Sequence, residues 1–145
     1  MKADIAGNYK ILEKLGEGGM GEVFKGLDLS LEREVAIKAL RPGLTRHPEV
    51  LERFRKEAVA LARLNHPNIA TLYSFVSHGE SYYMVMEFAP GKTLDRVIAE
   101  HREGLPWKRA LLLFRQALQA IEHAHHQGII HRDIKPTNMM LGDNG

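Results

Sequence analysis

Residues Gly16-Glu17-Gly18-Gly19-Met20-Gly21-Glu22-Val23 spell G-x-G-x-x-G-x-V. Glycine lets the backbone turn tightly and brings amide groups close to phosphate oxygens, because no Cβ stands in the way. Two unrelated kinds of nucleotide site use such a run. In a dinucleotide-binding fold it opens a helix; in the other it joins two antiparallel strands. What surrounds the glycines therefore decides the fold. Before them, residues 9–15 (Tyr-Lys-Ile-Leu-Glu-Lys-Leu) read as a strand with imperfect alternation. After them, Glu22-Val23-Phe24-Lys25-Gly26 carries β-branched and aromatic side chains, and Gly26 with Asp28-Leu29-Ser30 reads as a turn. The pattern favours a hairpin. A glycine-rich turn that holds no ligand would look the same in isolation, so the neighbouring segments must discriminate.

The next strand, Arg33–Leu40, contains Val35-Ala36-Ile37-Lys38. An unpaired ammonium in an apolar strand is costly, so Lys38 needs anionic partners unless it lies on a solvent-facing edge. Arg41-Pro42-Gly43 ends the strand. His47-Pro48 opens a helix, with proline suited to the first turn. Leu51, Phe54, Ala58, Leu61 and Leu64 recur at three- and four-residue spacing and give that helix one apolar face. Glu57 sits beside the face, within Phe54-Arg55-Lys56-Glu57-Ala58. Read without context it is a surface carboxylate beside Lys56 or Arg53.

Residues 65–69 form a connector in which His66 caps and packs the turn. Residues 70–77 and Ser81–Glu87 read as two strands around the hairpin His78-Gly79-Glu80. Glu87-Phe88-Ala89-Pro90-Gly91 then breaks the pattern, as a linker between a small sheet domain and a helical one does. Boundaries of this kind favour small-molecule sites. Thr93 is placed to cap a short helix containing Leu94, Val97 and Ile98. After Gly104-Leu105-Pro106, a long helix is expected over Trp107–His126, with Leu111, Phe114, Leu118 and Ile121 on one stripe and a stop at Gly128. His123, His125 and His126 lack the i, i+4 spacing of zinc-binding helices, and no carboxylate or cysteine set completes a metal site.

Beyond that helix stands His131-Arg132-Asp133-Ile134-Lys135-Pro136-Thr137-Asn138. Pro136 and Thr137 make it a loop. A carboxylate with an amide five residues on suits phosphoryl transfer to a hydroxyl: Asp133 would accept or orient the hydroxyl proton, and Asn138 would hold magnesium on the phosphates. Taken alone, the stretch also reads as a solvated polar turn. Met139-Met140-Leu141 follows as a short strand, and Gly142-Asp143-Asn144-Gly145 as a turn.

At 145 residues the chain can form one domain of ordinary size, and 44% hydrophobic with 26% charged residues places it among globular proteins. A net charge of +2 without a long run of one sign gives no reason to expect a nucleic-acid partner. The absence of cysteine excludes disulfide and thiolate chemistry. No apolar run approaches the roughly 20 residues that span a bilayer, and no signal-type hydrophobic core follows Met1. A soluble, cytoplasmic chain without internal repeats is expected.

Together the motifs G-x-G-x-x-G-x-V, V-A-I-K and H-R-D-x-x-x-x-N, matched in that order with a helix glutamate and a linker between them, resemble the protein kinase superfamily over essentially the whole chain. Lys135, two residues after Asp133, resembles the serine/threonine branch, where this lysine contacts the transferring phosphate. Gly18-Gly19-Met20-Gly21-Glu22-Val23-Phe24 is similar to bacterial kinases of eukaryotic type. The resemblance implies an α+β, protein-kinase-like fold. Residues 1–88 would form an N-terminal lobe, a five-stranded antiparallel sheet with one helix. Residues 89–145 would form the hinge and a truncated, mainly helical C-terminal lobe ending after the catalytic loop.

It also implies roles. Leu15, Gly16, Glu17, Gly18, Gly19, Met20, Gly21, Glu22 and Val23 would cover ATP. Lys38 would hold its phosphates, with Glu57 orienting the lysine, Glu52 as second choice, and Glu49 too near the helix start. Met86 would be the gatekeeper, and the backbone of Glu87 and Ala89 would hydrogen-bond adenine. Val23, Ala36 and Met140 would sandwich the ring. Asp133 would be the catalytic base, Lys135 the charge stabiliser and Asn138 a Mg2+ ligand. The partners implied are ATP and a protein substrate.

One departure stands out: the family continues with D-F-G, an activation loop and A-P-E, and none of these occurs in the sequence. The expectation is a fragment of a longer kinase, inactive alone. The alternative is a naturally short module that binds nucleotide or a partner without catalysis. A dinucleotide-dependent oxidoreductase is disfavoured by the hairpin. In the family the long helix is covered by later helices. Its stripe, with Ile129, Ile130, Met139 and Leu141, is therefore expected to face water and to drive self-association.

Overall fold

The structure is a computed structural model that describes residues 5–142, without the side chains of Ile5 and Ala6. The turn expected at Gly142-Asp143-Asn144-Gly145 lies, from Asp143 on, outside the described residues. The chain divides into two compact units. One runs up to Arg63 and takes in Ala70–Phe88; the other contains Leu64–Ile69 and the chain from Ala89.

The first unit is an antiparallel sheet with one helix. Its strands are β1 (Ile5–Ala6), β2 (Tyr9–Glu17), β3 (Gly21–Asp28), β4 (Arg33–Leu40), β5 (Leu72–His78) and β6 (Ser81–Glu87), in the order β1-β2-β3-β4-β6-β5. The five expected strands are present, with the two-residue β1 added at the edge. Alternation along β4 sorts the side chains. Val35 and Ile37 are fully buried on one face with Val85, packed by Tyr9, Ile11, Phe24, Val76 and Tyr83. Leu40 lies on the other face with Met84, under Phe54 and Ala58 of α1 (Pro48–Ala62). Phe54 and Ala58 are four apart, one turn on the same side of the helix, which is why the 3.6-residue pattern registers on this sheet face.

Local chemistry fixes the element ends. The β3–β4 turn is built on Asp28, almost fully buried, whose Oδ1 accepts the Ser30 and Leu31 amides at 3.1 Å each. Strand β5 starts at Leu72 rather than at residue 70, because the Thr71 amide donates to the Glu87 side chain (3.1 Å) instead of continuing the ladder. Helix α1 stops at Ala62, so Leu64, though buried, belongs to the connector.

The second unit holds a two-stranded antiparallel sheet, β7 (Lys92–Thr93) with β8 (Met140–Leu141), followed in sequence from β7 by α2 (Leu94–Glu100) and α3 (Trp107–His126). Gly91 has φ 130°, and a Cβ there would collide with the Leu141 carbonyl. Thr93 occupies the N-cap position of α2, but its hydroxyl makes no capping bond. Helix α3 ends in a Schellman arrangement: Gly128 (φ 72°) donates to the His125 carbonyl at 2.9 Å and Ile129 to Ala124 at 2.9 Å. The connector docks on α3 within this unit. His123 Nε2 accepts the Asn65 amide (3.3 Å), His66 Nδ1 accepts that of Asn68 (3.1 Å), and the two imidazoles sit 5.4 Å apart. That docking explains why Leu64–Ile69 groups with the helical residues.

The outer stripe of α3 faces solvent. Trp107 is 70% exposed and Phe114 61%, with Leu111, Leu112, Leu118 and Ile130 also exposed. Ile121, Ile129 and Met139 are half-buried. Leu141 departs from the expected exposed patch: pairing of β8 with β7 leaves it buried. Among the described residues no helix is long and apolar enough to cross a membrane.

Candidate nucleotide and phosphoryl-transfer site

Strand pairing positions Lys38. It lies opposite Val23 on β3 and Met84 on β6, so it points to the face that α1 covers. There its Nζ meets Glu57 Oε1 at 2.7 Å, with both side chains half-buried. Glu57 is the carboxylate on this helix that reaches the strand lysine. Glu52 lies 3.8 Å from Lys56, and Glu49 3.5 Å from His47. Ala36, two residues before Lys38 and opposite Met86, shares the face. Val23, Ala36 and Met86, all half-buried, therefore form an apolar strip beside the ammonium. A flat apolar ring with an anionic tail fits that combination.

The glycine run is the β2–β3 hairpin. Glu17 and Glu22 form the last pair before the loop, and Gly18 N–H donates to Gly21 O at 2.8 Å. The glycines are not equivalent. At Gly21 a Cβ would collide with the Ala39 carbonyl, so the fold itself demands glycine. At Gly16, Gly18 and Gly19 nothing lies within 4 Å of where a Cβ would stand. Packing asks nothing of these three, and their bareness leaves the loop backbone open to approach. Met20 packs towards the Leu40–Phe54 cluster, and its carbonyl accepts the Arg41 amide (3.1 Å). The β3 side of the loop is thus anchored at Met20 and Gly21, while Gly16, Gly18 and Gly19 stay bare. Leu15 is the unpaired residue of a β-bulge between Lys14 and Gly16, and half its surface is exposed. Lys14, which lies outside the glycine motif, bridges Glu17 (2.8 Å) and Glu22 (2.6 Å). The signal for it was two glutamates flanking the loop with a single lysine just upstream.

In the second unit the loop after α3 gathers its polar groups by itself. The 3-10 turn Pro136–Asn138 brings Asn138 back over Asp133, where Nδ2 donates to Asp133 O (2.9 Å) and Oδ2 (3.1 Å). Lys135 Nζ lies 3.4 Å from Asp133 Oδ1. The Asp133 amide donates to His131 Nδ1 at 3.1 Å. Between them Arg132 adopts φ 66°, a left-handed conformation uncommon for a residue with a Cβ and concentrated at functional sites. The Asn138 amide, then the Lys135 ammonium, hold the Asp133 carboxyl below the usual carboxylate range. The donor set suits magnesium, a hard cation that takes oxygen ligands: the Asn138 amide nitrogen is engaged here, and the oxygen of the same group is the atom a cation would take. Ala89 and Met140 belong to this unit, and Met140 is exposed. Glu87 ends β6 in the first unit.

These residues have close counterparts. The protein kinase domain family model matches residues 9–145. Serine/threonine-protein kinase PrkC of Bacillus subtilis (strain 168) is 43% identical over 141 residues, which are 97% of this chain and 22% of that protein. Serine/threonine-protein kinase PknB of Mycobacterium tuberculosis (strain ATCC 25177 / H37Ra) is 43% identical over 142 residues, again 22% of its length and 94% of this chain. The crystal structure of the Mycobacterium tuberculosis PknI kinase domain superposes with a TM-score of 0.82 at 26% identity, over 99% of this chain and 58% of that one. The chain thus spans about a fifth of the length of the curated relatives it matches. A six-stranded antiparallel sheet with a helix-paired lysine, a glycine hairpin and a self-assembled Asp-Lys-Asn loop agree with that match: the chain belongs to the protein kinase domain family.

Proposed function

We propose that these residues are the nucleotide-holding part and the catalytic loop of a serine/threonine protein kinase, which transfers the γ-phosphoryl group of ATP to a serine or threonine hydroxyl. The observation that carries the reading is the Asp133–Asn138–Lys135 cluster. A bare nucleotide-binding domain has no use for a carboxylate held ionised beside an ammonium and an amide. Phosphoryl transfer uses all three.

The roles follow from the groups present. Lys38, aimed by Glu57, takes the charge of the phosphates. Val23, Ala36, Met86 and Met140 supply apolar contact for adenine, and the backbone of Glu87 and Ala89 its hydrogen bonds. Residues 15–22 cover the nucleotide from the hairpin. Asp133 orients the attacking hydroxyl and receives its proton. Lys135 offsets charge that develops on the transferring group, worth more in a site closed to water than in solution. Asn138 would ligate Mg2+, which would supply further neutralisation of the phosphates when bound. A cytoplasmic setting belongs to the proposal, since ATP is the co-substrate. So does self-association, through the exposed stripe of α3.

The second reading is a module that binds nucleotide or a partner without transferring phosphate. Within these residues Asn138 is the sole magnesium-holding side chain that the resemblance assigns. The 145-residue polypeptide is expected to bind ATP weakly and to phosphorylate nothing. Fusing it to the remainder of the Bacillus subtilis PrkC kinase domain tests both readings. Labelling of a protein substrate on serine or threonine by the chimera supports the kinase; a folded, ATP-binding chimera without transfer supports the binding module.

A further inference from the structure

Glu17 and Glu22 stand directly opposite each other on the last rung of the hairpin before residues 18–20. Like charges in that relation push strands apart. Lys14 reaches both, at 2.8 Å and 2.6 Å. Under strict alternation, residues 14 and 17 would point to opposite faces of the strand. The bulge between Lys14 and Gly16 adds one residue and brings them to the same side. The hairpin therefore carries two carboxylates at the mouth of its glycine loop, and one cation placed by a bulge to close it.

We propose that Lys14 is a positioning residue for the phosphates of a nucleoside triphosphate: it clamps the mouth of the glycine hairpin and cancels the field of Glu17 and Glu22, which would otherwise repel a polyphosphate. The proposal rests on reading this loop as the nucleotide site. Lys14 is held above the usual lysine range by its hydrogen bonds to Glu17 and then Glu22, and Glu17 below the usual glutamate range by Lys14, so the clamp is charged throughout the neutral range. Arg41 adds a weaker attraction on Glu17. All three side chains touch solvent, so the effect is that of exposed pairs and is screened by salt.

Calorimetric titration of the 145-residue protein with ATP and, separately, with adenosine tests it, at low and high salt. Lys14→Gln is expected to lose about threefold to tenfold in ATP affinity at low salt, the size of one or two exposed ion pairs, with adenosine affinity unchanged. The loss shrinks at high salt, Lys14→Arg binds like the wild type, and the triple change Lys14→Gln, Glu17→Gln, Glu22→Gln regains most of the affinity. Equal losses for ATP and adenosine, no loss at all, or no recovery in the triple variant overturns the proposal. If Lys14→Gln does not fold, the pair Glu17→Gln, Glu22→Gln decides: ATP affinity rises relative to adenosine, and an unchanged or lower ratio overturns the clamp. A wild-type protein that binds neither compound removes the nucleotide reading and the clamp together. Wild-type binding with an indifferent Lys14→Gln removes the clamp alone.

Discussion

At the scale of one residue, the proposed role of Asp133 has a consequence. A carboxyl held below its ordinary range is a weak base, so in the proposed reaction it would orient a hydroxyl and take the proton late in transfer rather than strip it beforehand. The sign of the pH effect follows. A group whose pKa falls on folding contributes stability above its unfolded value, and the contribution is lost as pH drops through the lower, folded value. Asp133 should thus stay ionised through mildly acidic pH. An NMR titration of its carboxyl should show a midpoint below the ordinary aspartate range, and Asn138→Ala, which removes the hydrogen bond that lowers it most, should move it up. The pair in the other unit makes a separate prediction. In an active chimera, Glu57→Gln should lower phosphoryl transfer more than tenfold while ATP still binds, because Lys38 loses the charge that aims it, an estimate on the order of one charge-assisted bond. Glu57 was legible because it alone of the helix glutamates combines a place beside the apolar face with enough distance from the helix start. Lys14 was not, because its reach depends on a bulge, and a one-residue shift of strand register leaves no mark in residue type.

At the scale of elements, the two classes of glycine can be separated by experiment. Gly21→Ala should destabilise the hairpin, since its Cβ would meet the Ala39 carbonyl, whereas Gly19→Ala meets open space. Thermal unfolding should register the first and hardly the second. ATP titration should register Gly19→Ala if the loop covers phosphates. The helix offers a core test: Phe54 is fully buried, so Phe54→Ala should cost about 3–5 kcal/mol in urea unfolding. Strand β4 and helix α3 were legible to the residue. In β4 the apolar run is closed by Arg41-Pro42-Gly43, and α3 is bounded by Pro106 before it and the Gly128 turn after it. Ends set by tertiary hydrogen bonds were not: the start of β5 depends on the Glu87 side chain, which sequence places only approximately, and β1 is a two-residue edge with no period to detect.

For the molecule as a whole, the exposed stripe of α3 carries the consequence. Trp107, Leu111, Phe114 and Leu118 present large apolar side chains on one helix. Burying each is worth about 1.5–3 kcal/mol, enough together to drive association. The 145-residue protein should show a concentration-dependent mass by light scattering in the micromolar range, and Phe114→Glu should shift it towards monomer. A monomer at all concentrations, with strong hydrogen-exchange protection along α3, would show the stripe covered within one chain. The kinase reading itself meets its most direct test in the chimera with Asp133→Asn, where transfer to a serine or threonine substrate and ATP affinity are measured on the same protein. Transfer should fall about a thousandfold, the scale of a positioned acid–base group, with ATP affinity nearly unchanged. Transfer that survives the substitution would contradict the assignment of Asp133 and the phosphoryl-transfer account built on it.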